Sequence, residues 1–150
     1  MSVRVQSDDF DVAAELASIR LTGRGVGAVV SFIGQVRDFS EGDEIHTLTL
    51  EHYPGMTEKA LEAIENEARD RWDVLESRII HRVGTLKPQD QIVFVAVSSA
   101  HREEAFKACE FIMDFLKTQA PFWKKEVTSQ GERWVEAKLS DDLAQERWKL

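Results

Sequence analysis

A single cysteine, Cys109, stands among the 150 residues, so no disulfide can form within the chain. That fits a reducing compartment, and the expected location is the cytoplasm. Long apolar runs are also missing. No stretch approaches the ~18–20 residues of a membrane span, and the N-terminus MSVRVQSDDFDV has no apolar signal core. No membrane association is expected. Excess positive charge is lacking too: 19 Lys and Arg against 27 Asp and Glu leave a net charge of −8. A phosphate backbone would be repelled by most of such a surface, which argues against general nucleic-acid binding. There is no internal repeat, low-complexity tract, linker, Walker loop or nucleophile elbow. The four histidines have no zinc spacing, and no second cysteine helps them, so no metal is expected.

What is present is ordinary for a globular chain: 43% hydrophobic and 31% charged residues, enough for one domain over residues 1–150 with a real core. Residues 3–5 read as an edge strand and 11–19 as a short helix. The glycines of TGRGVGAVV precede an apolar run instead of following a strand, so they form a loop entering a strand at 27–33 and not a dinucleotide fingerprint. A polar loop turning at Gly42 leads to a strand at 45–51, expected to form a hairpin with the previous one. Met56, Ala60, Leu61, Ile64, Ala68 and Trp72 make the core stripe of a helix at 56–72, and its acidic residues, Glu65 among them, are assigned to the solvated face. Strands follow at 77–83 and at 91–98, the latter (QIVFVAVS) apolar enough to be covered on both faces. Ser98 and Ser99 offer caps for a long helix with the stripe Ala105, Phe106, Cys109, Ile112, Met113 and Leu116. Cys109 is read as a packed core residue instead of a nucleophile. Strands at 123–128 and 133–138, turning at Gln130-Gly131, and a short terminal helix complete an α+β fold with a mostly antiparallel sheet.

The stretch DFLKTQAPFWKKE (114–126) carries the strongest sign of chemistry. Proline has no N–H and disfavours helix in the residue before it, so the long helix should stop near 118–120. Lys117 then lies at a helix end, and Lys124 and Lys125 lie just past a rigid turn. Gathered cations beside Phe122 and Trp123 are a costly arrangement for a fold alone. They suggest a local anion site on an acidic protein, although a solvated lysine-rich turn has the same composition. Arg37, His101 and Arg102 also fall at element ends. Residues 101 and 117 are about 24 Å apart along the helix. They therefore serve separate sites, or a two-fold dimer brings one pair to the other.

Taken together, LEHYPGMTEKAL (50–61), HRVGTL (81–86), SSAHREEAF (98–106), DFLKTQAPFWKKE and RWVEAK resemble the large, catalytic subunit of molybdopterin synthase, in order from residue 27 to 138. The resemblance implies an α/β-hammerhead-like fold and a sulfurtransferase. The enzyme would add two sulfurs to cyclic pyranopterin monophosphate, forming the dithiolene of molybdopterin in molybdenum cofactor biosynthesis. It implies a small ubiquitin-like partner subunit that carries the sulfur as a thiocarboxylate on its Gly-Gly C-terminus, and a homodimer within a heterotetramer. No separate cofactor is implied, the pterin being substrate and product.

Carried over by motif, Lys117 and Lys124 correspond to the catalytic lysines, Lys117 at the sulfur-transfer centre and Lys124 at the pterin. Gln35, Val36, Arg37, His101 and Arg102 match substrate-contacting segments, the last two arriving from the other subunit. Lys125 and Glu126 are expected to flank Lys124 in one pocket. Lys138 stands where the family often has arginine; it keeps the charge without the fork geometry. The loop Asp38-Phe39-Ser40-Glu41 departs from the family's asparagine-rich version. Two other readings stay open on the residues alone. One is a lysine Schiff-base lyase or aldolase built on Lys117 near a second cation. The other is a non-catalytic module that only docks a ubiquitin-like tail.

Overall fold

The protein is described by a computed structural model covering residues 2–135 and 139–149. Among these the elements run β1 (Val3–Gln6), α1 (Val12–Arg20), β2 (Ala28–Gln35), β3 (Phe39–Ser40), β4 (Asp43–His52), α2 (Met56–Arg71), β5 (Glu76–Arg82), β6 (Gly84–Leu86), β7 (Gln91–Ser99), α3 (Arg102–Gln119), β8 (Phe122–Thr128), β9 (Gly131–Val135) and α4 (Leu139–Glu146). None of these helices is long and apolar enough to cross a membrane.

The apolar strand β7 is the centre of a first sheet ordered β1-β5-β7-β2. Successive side chains of a strand point to opposite faces, so a strand apolar at every position needs cover on both. On one face Val93, Val95 and Val97 pack with Leu61 and Ile64 of α2 and Phe111 and Ile112 of α3. On the other, Phe94 and Ala96 pack with Phe10 and with Ile19 of α1. Burying one such aliphatic side chain contributes roughly 1.5–3 kcal/mol, and these layers place α3 firmly on the sheet. The chain is thus α+β; β1 pairs with β5 in parallel, and the other pairings among the described residues are antiparallel.

The second sheet is built on β4, with β8 on one edge and the short β3 and β6 on the other; β9 lies outside β8. This corrects the expected hairpin of β2 with β4. β2 pairs along its length with β7, and β4 pairs with β8 instead. Strand propensity reveals that a strand exists but not its partner. β4 also departs from simple alternation. A register shift between Ile45 and Thr47 turns Ile45 to the side of Leu48 and Leu50, where they bury against Val36 and Leu86. The polar loop at Gly42 is a two-residue hairpin turn. Glu41 (φ 53) and Gly42 (φ 82) both adopt positive φ, which suits the twist of the flanking β3 and β4.

Three helix expectations also change. Met56 and Phe106 are exposed, and Ala108 and Phe111 take the core positions in α3. Ser98 and Ser99 are the last two residues of β7, both buried, and not the helix cap. The Ser99 hydroxyl donates to the Asp73 carbonyl (2.7 Å), and His101 occupies the N-cap without a side-chain cap bond. Glu65 is buried and not solvated. Its carboxylate accepts from Ser77 Oγ (2.6 Å) and Ser2 Oγ (2.8 Å), tying α2 to β5 and to the chain start.

At the other end, Trp148 closes over Trp72 and Phe111 at 5.3 and 5.6 Å between ring centroids, edge to face, and its indole N–H donates to Asp114 (2.6 Å). This anchors the segment after α4 to the last turns of α3. The turn between β8 and β9 is Ser129-Gln130, with Thr128 paired to Gly131; the expected extension of the last strand through residue 138 runs beyond the described residues.

Burial pushes the Glu65 carboxyl above its ordinary 4.5, helped by Glu76 and opposed by the two serines and Arg69. The fold therefore binds this proton more tightly than the unfolded chain does. Stability falls as pH rises from that ordinary value through the raised one. Glu65→Gln should flatten this part of the stability curve and be at least as stable as wild type at neutral pH. Urea midpoints measured across mildly acidic to neutral pH check it; a variant with an unchanged pH slope would contradict the assignment.

Candidate active site

The end of α3 decides where the site forms. Ala120 takes an extended conformation (ψ 135), as the residue before a proline prefers, and Pro121 then turns the chain into β8. Because α3 packs on the first sheet and β8 pairs in the second, this turn joins the two layers. A cavity of about 570 Å³ opens beside it. Lys117 enters from the last turn of α3, where the helix carbonyls favour a cation. Lys124 and Glu126 enter from alternate positions of β8, and Gln35, Val36 and Arg37 from the end of β2.

Each of these side chains is held differently. Arg37 and Lys117 are exposed, and Lys124 is half-buried. Val36 is 4% exposed and forms part of the floor; its N–H donates to Asp90 (2.9 Å) and its carbonyl accepts from Gln89 (2.8 Å). Gln35 reaches the Gln89 carbonyl at 3.4 Å. Glu126 accepts from Arg133 Nε (3.0 Å), and the same guanidinium binds Asp43 (2.8 Å) and the Ser40 carbonyl (2.9 Å). Arg133 thereby fixes one wall of the cavity to the β3–β4 hairpin.

Lys125 is the exception to the expected grouping. Alternation along β8 turns it away from the cavity, and its ammonium lies 5.8 Å over the Trp134 ring. Trp123 is likewise turned outward and 49% exposed. Lys138 lies outside the described residues. His101 and Arg102 border a separate recess with Gly27, Ala100 and Glu103, at the opposite end of α3 from Lys117. Gly27 is required there: a Cβ would sit 2.2 Å from the Ala100 carbonyl oxygen. Cys109 is not part of either site; burial pushes its thiol up to about 12.

Among the cavity residues that escaped the sequence reading, His81 is the most deeply buried titratable one. His81 is 2% exposed, and its ring stacks on Phe122 at 3.8 Å and 17°. Burial above all pushes its pKa down to about 3; the Arg82 carbonyl opposes this, and the charges of Lys124, Lys117 and His52 add to it. The signal available was a histidine at an inward position of the apolar strand RIIHR, two residues after Ile79.

The family model described as "MoaE protein" matches residues 5–119. The chain belongs to the MoaE family. A molybdopterin synthase catalytic subunit from Ralstonia nicotianae is 58% identical over 147 residues, covering 98% of this chain and 84% of the relative. The structure of a molybdopterin biosynthesis MoaE protein from Burkholderia ambifaria superposes with a TM-score of 0.85 at 53% identity, covering 99% of this chain and 98% of that one. A molybdopterin synthase structure from Staphylococcus aureus gives 0.84 at 32% identity, covering 91% and 98%. The likeness thus spans both sheets of this MoaE chain and the turn at Pro121 between α3 and β8.

The Arg133 cluster is an electrostatic tie between exposed and half-buried groups, so salt should weaken it. Arg133→Leu is expected to lower the thermal midpoint by a few degrees, with the gap to wild type narrowing at high salt. An equal gap at both salt levels would mean that lost packing, not charge, accounts for the effect.

Proposed function

We propose that this chain is the catalytic subunit of a molybdopterin synthase, and that its sulfur-transfer centre is the cavity between α3 and β8. The observation that carries this reading is the convergence of Lys117, Lys124 and Arg37 on one cavity in a chain of net charge −8. Cations gathered against the overall charge call for an anionic ligand. Two such ligands belong to the reaction: the phosphate of cyclic pyranopterin monophosphate and the C-terminal thiocarboxylate of a small ubiquitin-like sulfur carrier. The partner brings the sulfur, so this chain needs no cysteine nucleophile. The pterin enters as substrate and leaves as product.

In this reading the thiocarboxylate sulfur bonds to the pterin, water then attacks the acyl carbon, and Lys117 donates to the acyl oxygen and stabilises the oxyanion so formed, whose collapse breaks the carbon–sulfur bond, leaving the sulfur on the pterin and a carboxylate on the carrier. Lys124 contacts the pterin and assists proton transfer at its ring. Arg37, with the backbone of Gln35 and Val36, holds the substrate at the mouth, and Glu126 orients Lys124 from the same face of β8. His101 and Arg102 sit too far from Lys117 in one subunit to share a small ligand. A two-fold homodimer delivers them, from the positive N-terminal end of their own α3, to the partner subunit's cavity. The reaction takes place in the cytoplasm, in a heterotetramer with one small subunit on each outer side.

Reconstitution with the thiocarboxylated small subunit and the cyclic precursor tests this directly, with dithiolene product as the readout. Lys117→Ala should lower the rate by ~10²–10³ while the small subunit still binds. Undiminished product would overturn the assignment, and borohydride trapping of Lys117 with a carbonyl substrate and no partner protein would favour a Schiff-base enzyme. Mixing Lys117→Ala with Arg102→Ala subunits separates the two arrangements of the recess. Sites shared across the dimer should recover about a quarter of wild-type activity, because half the dimers are mixed and each mixed dimer has one intact site. Sites contained within one subunit should recover none.

A further inference from the structure

Strand β2 is an edge of the first sheet. β7 lies on one side of it, and no strand among the described residues pairs with the other. An open edge offers N–H and C=O groups to any extended chain, and proteins blunt such edges with charges, proline or short length. The edge strand β1 has four residues and includes Arg4, and β9 carries Glu132 and Arg133. β2 has none of these protections. Its eight residues, AVVSFIGQ, contain no charge and no proline, in a chain that is 31% charged. Ser31, Phe32 and Ile33 in its middle are exposed, Phe32 by 40%.

The two ends of β2 lie at the two basic sites. Gly27, just before the strand, borders the recess of His101 and Arg102, while Gln35 and Arg37 enter the cavity of Lys117 and Lys124. β2 therefore runs from recess to cavity as α3 does. Eight residues at ~3.3 Å each span about 26 Å, close to the length of the helix between its basic ends. Arg102, Phe106, Met113 and Lys117 share one stripe of α3, and Phe106 on that stripe is 59% exposed. Strand and helix thus leave apolar side chains uncovered between the two sites.

A second copy of the chain fits this strip by symmetry. A two-fold axis perpendicular to the sheet lays β2 antiparallel to itself, and one residue must then face its own copy. Ser31 stands midway between Gly27 and Gln35. With the axis there, Phe32 faces Val30 of the partner subunit, Ile33 faces Val29 of the partner subunit, and Gln35 faces Gly27 of the partner subunit, at the ~5 Å usual between paired Cα atoms. Aromatic and β-branched pairs of this kind stabilise a ladder. The same axis keeps both α3 helices on one face and runs them in opposite directions, so the head of each approaches the tail of the other. An extended tail of the sulfur carrier would also match an open edge, but it would leave His101 and Arg102 at the far end of α3.

We propose that the homodimer forms by antiparallel pairing of β2 with its own copy about Ser31, which joins two four-stranded sheets into one and carries His101 and Arg102 to the partner subunit's cavity. The proposal rests on the functional reading above for the need of a shared site. The pairing itself has readouts that need no turnover.

Ser31→Cys should form an interchain disulfide on mild oxidation, because facing Cα atoms ~4.5–5.5 Å apart are within disulfide reach and the native Cys109 is buried. Glu132→Cys, on the edge strand β9, should not. Ser31→Lys and Ser31→Glu each set like charges face to face. Each should raise the dimer dissociation constant about tenfold or more in analytical ultracentrifugation, and an equimolar mixture of the two should restore the dimer. A charge variant that dimerises as wild type does, a mixture no better than its components, or equal cross-linking of Glu132→Cys overturns the proposal. So does a Ser31→Lys dimer that stays intact and loses the small subunit, since the edge then belongs to the carrier's tail. If a charge variant does not fold, the Ser31→Cys cross-link decides alone, and its absence overturns the pairing. Wild type that dimerises through β2 but gives no dithiolene product would overturn the functional reading and not the interface.

Discussion

The arrest of α3 at Pro121 is the constraint on which the arrangement of this molecule depends. A helix cannot pass through a proline whose predecessor is driven to extended geometry, so the chain leaves the first sheet's helical layer there and enters the second sheet within three residues. α3 is fixed by its packing on β7, and β8 by its ladder with β4. The turn between them consequently has little freedom, and the cavity beside it inherits that rigidity. Lys117 and Lys124 lie on either side of the turn, and this is how two flexible side chains come to share one concave space.

The cavity wall illustrates how a fold manages concentrated positive charge. Three features act together. Lys117 sits at the carbonyl end of a helix, which lowers the cost of its ammonium. Glu126 stands next to Lys124 on β8 and is itself held by Arg133, so a carboxylate is present without being loose. His81 contributes an imidazole that burial keeps uncharged. The chain as a whole carries a net charge of −8, so the positive charge gathered in this cavity is local. Cys109 lies outside this cavity, buried under the first sheet, where burial keeps its thiol protonated.

The separation of the two basic groups gives the α3 helix a second role. Its N-terminal end carries His101 and Arg102 beside a recess made possible by Gly27, and its C-terminal end carries Lys117. One rigid rod of 18 residues thus presents cations at both ends. Such a rod suits an assembly in which the head of one helix completes the site at the tail of another. A self-complementary two-fold interface requires no additional surface to do so.

Local sequence determined most of the elements and where most begin and end, but not the short β3 and β6, which are strands only by virtue of pairing with β4. The continuous apolar run of β7, the helical stripes of α2 and α3 and the stop at Pro121 are short-range physics, and each is legible without a partner. The motifs around Lys117 and Lys124 identified the family for the same reason, being contiguous in the chain. Only the tertiary structure decided which strands pair, because β propensity is satisfied equally by β2 or β8 beside β4. It alone set the faces. The bulge that turns Ile45 inward, the burial of Glu65 against Ser2 and Ser77, the exposure of Phe106 and the outward turn of Lys125 all depend on what lies across the gap. His81 was hidden on the same ground: a lone histidine in a strand carries no local signal, and its neighbours Phe122 and Lys124 lie 41 and 43 residues further on in the chain. Contacts between residues so far apart are fixed only when the two sheets close on each other.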